Sequence, residues 1–102
     1  MNILNKIIAH LKKALNNRGT AYLFGSRARG TGRDDSDWDV LVILDKECLD
    51  SADYDEITFP LSYLGWEENQ TISPIMYTRN EWQKQSFTPF FKNVEREKIV
   101  LV

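Results

Sequence analysis

Two short polar motifs, separated by the ten residues 27–36, have the residue types of a site for metal and phosphate. Gly25-Ser26 directly follows an apolar segment, and Asp37 and Asp39 directly precede another. A glycine lets backbone amides approach a phosphate closely, and the serine hydroxyl adds a hydrogen-bond donor. At the entry to a strand, Asp37 and Asp39 would share one face, where Mg²⁺ can join two carboxylates to substrate phosphates. The two motifs together therefore predict a site for magnesium and a phosphorylated ligand.

Charge along the chain is divided between two neighbouring segments. Residues 18–33 contain four arginines and no acid, whereas residues 34–56 contain ten acids and one lysine. Arg27, Arg29 and Arg33 are available to neutralise phosphate charge beside Gly25-Ser26. The alternative is a solvated surface in which the two blocks of charge have no function.

The elements that must position these residues are predicted from periodicity and breaker residues. Strands alternate with helices, which predicts an α/β (α+β) fold with a small mixed β-sheet packed against helices. Gly19 is expected to end the first helix, Pro60 to break or kink the third helical segment, and Asn80 to cap the next. Pro74 places its strand at a sheet edge or a bulge. The predicted helices cover 3–15, 26–32 (a turn or short helix), 50–64, 81–86 and 89–97, and the predicted strands cover 20–24, 38–44, 71–78 and 99–102.

Length and composition exclude several classes of protein. The chain has 102 residues, which predicts one domain over residues 1–102. Its net charge of −2 argues against direct nucleic-acid binding, and its single cysteine, Cys48, excludes an intrachain disulfide. The longest apolar run, 40–44, is far too short to span a membrane, which would take about 20 residues. A cytoplasmic protein without membrane contact is therefore expected.

Residues 22–30 and 36–42 resemble the minimal nucleotidyltransferases, a family of the polymerase-β-like nucleotidyltransferase superfamily. The shared signature is Gly-Ser, a ten-residue spacer and Asp-x-Asp. The resemblance implies a nucleotidyltransferase fold in which Gly25 and Ser26 hold a nucleoside triphosphate and Asp37 and Asp39 bind Mg²⁺. It makes Arg27 and Arg29 secondary phosphate contacts, with support of the loop as the alternative role for both.

One position departs from the family pattern. The family has a third carboxylate on a later strand, and here that strand contains no acid, so Ser73 is the expected occupant. Glu67 or Glu68 is the alternative source of the missing carboxylate. The gap leaves the expected fold unchanged and makes catalysis an open question.

Two functions follow from the resemblance. In the first, the protein resembles the antitoxin of a pair whose partner is a helical HEPN-domain toxin. It would then transfer a nucleotide, AMP from ATP, to a hydroxyl of that partner. In the second, it is a weak or inactive enzyme that neutralises the same partner by occlusion, which the missing carboxylate favours.

Overall fold

The computed structural model describes residues 2–102, which form a four-stranded sheet with helices on both faces. The strand order is β3-β2-β1-β4, in which β1 is antiparallel to β2 and β4, and β2 is parallel to β3. The sheet is therefore mixed, as predicted, and β3 is an edge strand, the position in which Pro74 is tolerated. The strands are β1 (Gly19–Phe24), β2 (Trp38–Leu44), β3 (Ile72–Thr78) and β4 (Ile99–Val100).

Within residues 2–102, no helix is both long enough and apolar enough to cross a membrane.

The helices follow the predicted order closely. The helical elements are α1 (Ile3–Leu15), α2 (Ser26–Arg29), α3 (Ser51–Asp53), a π-helical turn (Tyr54–Thr58), α4 (Phe59–Glu67), α5 (Arg79–Lys84) and α6 (Pro89–Glu97).

The two faces of the sheet carry different helices, and this decides which side the acidic residues occupy. Val40, Val42 and Leu44 of β2 pack in one cluster with α1 and α4, while Leu41 and Ile43 pack in another with α5 and α6. Side chains alternate along a strand, so odd-numbered positions of β2 face α5 and α6. Asp39 therefore lies on the α5–α6 face of the sheet.

The end of α1 differs from the prediction that Gly19 would terminate it. Asn16 takes the left-handed conformation at the C-cap, with φ of 46°, and Gly19 begins β1 instead. Asparagine adopts this conformation more readily than most residues, so a glycine is not needed. The Arg18 guanidinium donates to the carbonyls of Ala14 and Leu15 at 2.7 and 3.1 Å. These hydrogen bonds pair carbonyls of the last turn of α1, where the helix dipole also favours a positive charge.

The helical segment around Pro60 is distorted but not broken. Helical structure continues from Ser51 to Glu67, with a π-helical turn in front of Pro60 in which the Phe59 N–H donates to the Tyr54 carbonyl. Proline has no N–H to donate to the preceding turn of a helix, and Pro60 directly follows the residues of the π-helical turn, as the second residue of α4. The hydrogen-bond pattern of the segment therefore changes at the π-helical turn, and the helix continues beyond Pro60.

Two further boundaries correct the predictions. The helix expected to be capped by Asn80 begins at Arg79, two residues earlier than predicted, because Thr78 is its cap: its hydroxyl accepts from the Glu81 N–H, and its own N–H donates to the Glu81 carboxylate. This Thr-x-x-Glu capping box was visible in the sequence. The last strand ends at Val100 rather than at Val102.

Candidate functional site

The Gly25-Ser26 motif lies where β1 ends and α2 begins. β1 ends at Phe24, Ser26 is the first residue of α2, and Phe24 is paired with Asp39 of β2. Gly25 has a φ of +77°, and a Cβ atom added to it would overlap Oδ2 of Asp39. The chain therefore needs glycine here for both its backbone conformation and its contact with Asp39.

Replacing Gly25 by alanine is expected to destabilise the protein through both effects. Gly30 offers a comparison, because a Cβ there would have no neighbour within 4 Å and its backbone is left-handed, with φ of 78° and ψ of 13°, whereas Gly25, with φ of 77° and ψ of −162°, lies in a region that only glycine readily adopts. We expect Gly30→Ala to cost about 1 kcal/mol from its backbone conformation, and Gly25→Ala about 2–4 kcal/mol because a more restricted backbone conformation and overlap with Asp39 are both added. Urea unfolding of both variants measures the difference, and equal losses would show that the contact with Asp39 is unimportant.

The two aspartates lie close enough to interact. Asp37 immediately precedes β2, and its charge raises the pKa of Asp39, although burial of Asp39 is the larger cause. The nearby Arg29 opposes this rise and Glu97 adds to it. The turn before the pair is ordered by the Ser36 hydroxyl, which accepts from the Arg33 N–H at 2.8 Å. An ionised Asp39 is therefore under electrostatic strain that a cation would relieve.

The raised pKa of Asp39 predicts that Asp39→Asn stabilises the metal-free protein at neutral pH. As pH falls through the raised pKa, folded Asp39 takes up its proton before the unfolded chain does, so the wild type recovers stability relative to the variant. The advantage of the variant is expected above that pKa and should vanish below the pKa of the unfolded side chain. Thermal unfolding across this range tests it, with a higher Tm expected for the variant than for the wild type at pH 7. A variant less stable than wild type at pH 7 would contradict the expectation.

Arg27 is engaged by the loop between α2 and β2. Its guanidinium donates to the carbonyl of Ser36 at 3.0 Å and to that of Asp34 at 3.2 Å, and it lies 4.2 Å from the centre of the Trp38 ring. These contacts connect α2 to the start of β2 and fix the distance between the two motifs. Of the two roles considered for Arg27, the geometry corresponds to support of the loop.

Arg29 is held by a carboxylate that sequence reasoning missed. Glu97, at the end of α6, accepts from the Arg29 guanidinium at 2.9 Å and from the Gly25 N–H at 3.0 Å. The Arg29 hydrogen bond holds the pKa of Glu97 below its ordinary value. Glu97 reaches the site because β4, which begins two residues later, pairs with β1.

Ser73 is the residue expected at the strand position where the family has its third carboxylate. It lies on β3 directly opposite Asp39 in the parallel register, so its Cα neighbours that of Asp39. Glu68 pairs with Lys6 of α1, and Glu67 ends α4, so both belong to helices on the other face of the sheet. The structure therefore does not bring Glu67 or Glu68 to Asp39.

The chain matches one family model along almost its entire length. The model is that of polymerase β, nucleotidyltransferase, and it matches residues 5–102. The chain belongs to this nucleotidyltransferase family. A crystal structure of a toxin–antitoxin with AMP-PNP is similar to the chain at a TM-score of 0.56 and 19% identity, covering 93% of this chain and 72% of that one. No curated protein sequence matches the chain.

The carboxylates of Asp37 and Asp39 are hard oxygen ligands of the type that Mg²⁺ accepts. Within residues 2–102, no group of three or more histidine, cysteine, aspartate or glutamate side chains forms a metal cluster. Mg²⁺ is commonly bound by one or two carboxylates together with water and substrate phosphates. The half-buried Asp39 lies against Gly25, and the exposed Asp37 precedes it by two residues, so the two would supply such a pair.

Proposed function

We propose that this nucleotidyltransferase-fold protein is a Mg²⁺-dependent enzyme of the minimal nucleotidyltransferase and HEPN type, acting as an antitoxin. It would transfer AMP from ATP to a hydroxyl of a HEPN-domain toxin. The observation that carries the proposal is the convergence of Gly25, Ser26, Asp37 and Asp39 at one end of the adjacent strands β1 and β2. Family membership over residues 5–102 supports the class of reaction.

Some residues of the site would bind the triphosphate and others would bind the metal. The backbone and hydroxyl of Gly25-Ser26 would bind the triphosphate, and Asp37 and Asp39 would hold Mg²⁺. When bound, Mg²⁺ supplies charge neutralisation for a displacement at the α-phosphorus, in which the acceptor oxygen forms a new bond and pyrophosphate leaves. Arg29 is the arginine we assign to phosphate, because its guanidinium and the Gly25 N–H already bind one anion together, the Glu97 carboxylate, whereas Arg27 is engaged by backbone carbonyls of the loop.

A protein partner is supported by the surface of α4. Phe59, Tyr63 and Trp66 recur at helical spacing on its outer side and are 65%, 60% and 72% exposed. Large exposed apolar patches on small proteins commonly mark interaction sites. The similar crystal structure is that of a toxin–antitoxin with AMP-PNP, which favours a toxin as the partner and ATP as the nucleotide.

The second candidate function is a binding module that neutralises the toxin by occlusion. Ser73 favours it, because the strand position beside Asp39 carries a hydroxyl in place of a carboxylate. A carboxylate there would complete the set that activates the attacking hydroxyl, so its absence predicts slow transfer.

Two outcomes are distinguished by incubating the protein with labelled ATP, Mg²⁺ and a candidate HEPN-domain partner. The enzyme predicts label on the partner that depends on Mg²⁺ and is absent with the Asp37→Ala/Asp39→Ala variant. Occlusion predicts a stable complex that inhibits the toxin equally well with either form and transfers no label. Absence of both label and complex would contradict the antitoxin assignment.

A further inference from the structure

Glu97 uses two of the donors that a phosphate would need. One carboxylate oxygen accepts from the Gly25 N–H at 3.0 Å and the other accepts from the Arg29 guanidinium at 2.9 Å. The Glu97 side chain is only 15% exposed, so this anion is largely withdrawn from solvent. A backbone amide beside a guanidinium is also the pair of groups that binds phosphate oxygens in proteins.

We propose that Glu97 is an internal occupant of the phosphate position, and that a bound triphosphate displaces it from Gly25 and Arg29. The inference rests on the proposed function, because it concerns the same phosphate site. A single N–H cannot serve two anions well, and two anions beside one guanidinium repel each other. Nucleotide affinity is therefore set partly by the cost of releasing Glu97.

The space beside these groups allows the exchange. An open cavity of about 390 Å³ adjoins Gly25 and Arg29, and Phe90, Asn93 and Arg96 of α6 contribute to its wall. The charge of Arg96 also favours the ionised form of Glu97. A displaced carboxylate thus has room to move and a second cation beside it.

The test is the affinity for inorganic triphosphate with Mg²⁺, measured by calorimetry on the full chain. Glu97→Gln keeps a carbonyl that can accept from Gly25 and removes the charge, and Glu97→Ala removes both. Glu67→Gln is the matched control, since it makes the same charge change at an exposed position on α4. We expect both Glu97 variants to bind triphosphate about ten-fold more tightly, the effect of freeing one charge-assisted hydrogen bond, and the control to match wild type.

Weaker or unchanged binding in both Glu97 variants overturns the inference, as does a failure of wild type and both variants to bind triphosphate. Circular dichroism checks that both variants are folded. If folded Glu97→Gln and Glu97→Ala change the triphosphate affinity in opposite directions, the inference is also overturned. The affinity measurement tests the inference, and an AMP-transfer assay tests the proposed function, so the failure of one can be distinguished from the failure of the other. Tighter triphosphate binding without any AMP transfer upholds the role of Glu97 and rejects the enzyme. AMP transfer with unchanged triphosphate affinity does the reverse.

Discussion

Asp39→Asn is expected to lower the rate of AMP transfer by about 10³-fold, the size of effect seen when one electrostatic stabiliser of a transition state is removed. Asparagine keeps the size of the side chain and its place in β2 but removes half of the charge available to hold Mg²⁺. The same substitution is expected to stabilise the fold at pH 7, because it relieves the burial of a charged group beside Asp37. A loss of activity in a more stable variant cannot be attributed to unfolding.

The measurement is a single-turnover transfer assay with ATP, Mg²⁺ and the partner. Asp35→Asn is the control, since Asp35 is an exposed acid in the loop before β2. We expect this control to transfer at the wild-type rate. A rate within ten-fold of wild type for Asp39→Asn would mean that Asp39 does not hold the metal.

Ser73→Asp is expected to raise the transfer rate by about 10²-fold with little change in ATP affinity. Ser73 lies directly opposite Asp39, so an aspartate there adds a carboxylate beside Asp39 on the same face of the sheet. Pro74 restricts residue 73 to extended conformations, which an aspartate also adopts. The added group would act mainly in the transition state, and general-base effects of this kind are worth about 10²–10⁴-fold.

Rate and ATP affinity must be measured separately to test this prediction. Ser62→Asp is the matched control, because Ser62 lies on α4, on the other face of the sheet. We expect no gain in rate from this control. A wild type that already transfers rapidly, with no gain in Ser73→Asp, would show that the chain needs no carboxylate at this position.

Local sequence patterns predicted most of the fold because the elements that matter have strong local signals. The apolar repeat gave α1 to the residue, and the apolar segments after Arg18 and before Asp45 gave β1 and β2. These two strands flank Gly25-Ser26 and Asp37-x-Asp39, so their pairing alone brings the motifs together. The juxtaposition of the two motifs was therefore visible in the sequence, together with their spacing.

The remaining features depend on contacts between residues far apart in the chain. Glu97 lies 72 residues after Gly25, and the pairing of β4 with β1 brings it to the Gly25 N–H. Nothing in the local pattern of α6 distinguishes Glu97 from Glu95, which instead accepts from Trp82. Pro60 predicts a distortion of its helix but not the form of that distortion, which is the π-helical turn Tyr54–Thr58.

The position of the metal and the triphosphate tests the central claim most directly. Crystals of the full chain grown with AMP-PNP and Mn²⁺, which replaces Mg²⁺ at oxygen sites and has an anomalous signal, would locate both. We predict an anomalous peak bonded to carboxylate oxygens of Asp37 and Asp39 at about 2.2 Å, with the triphosphate against Gly25 and Ser26. A triphosphate bound elsewhere, with no metal at Asp37 and Asp39, would contradict the account.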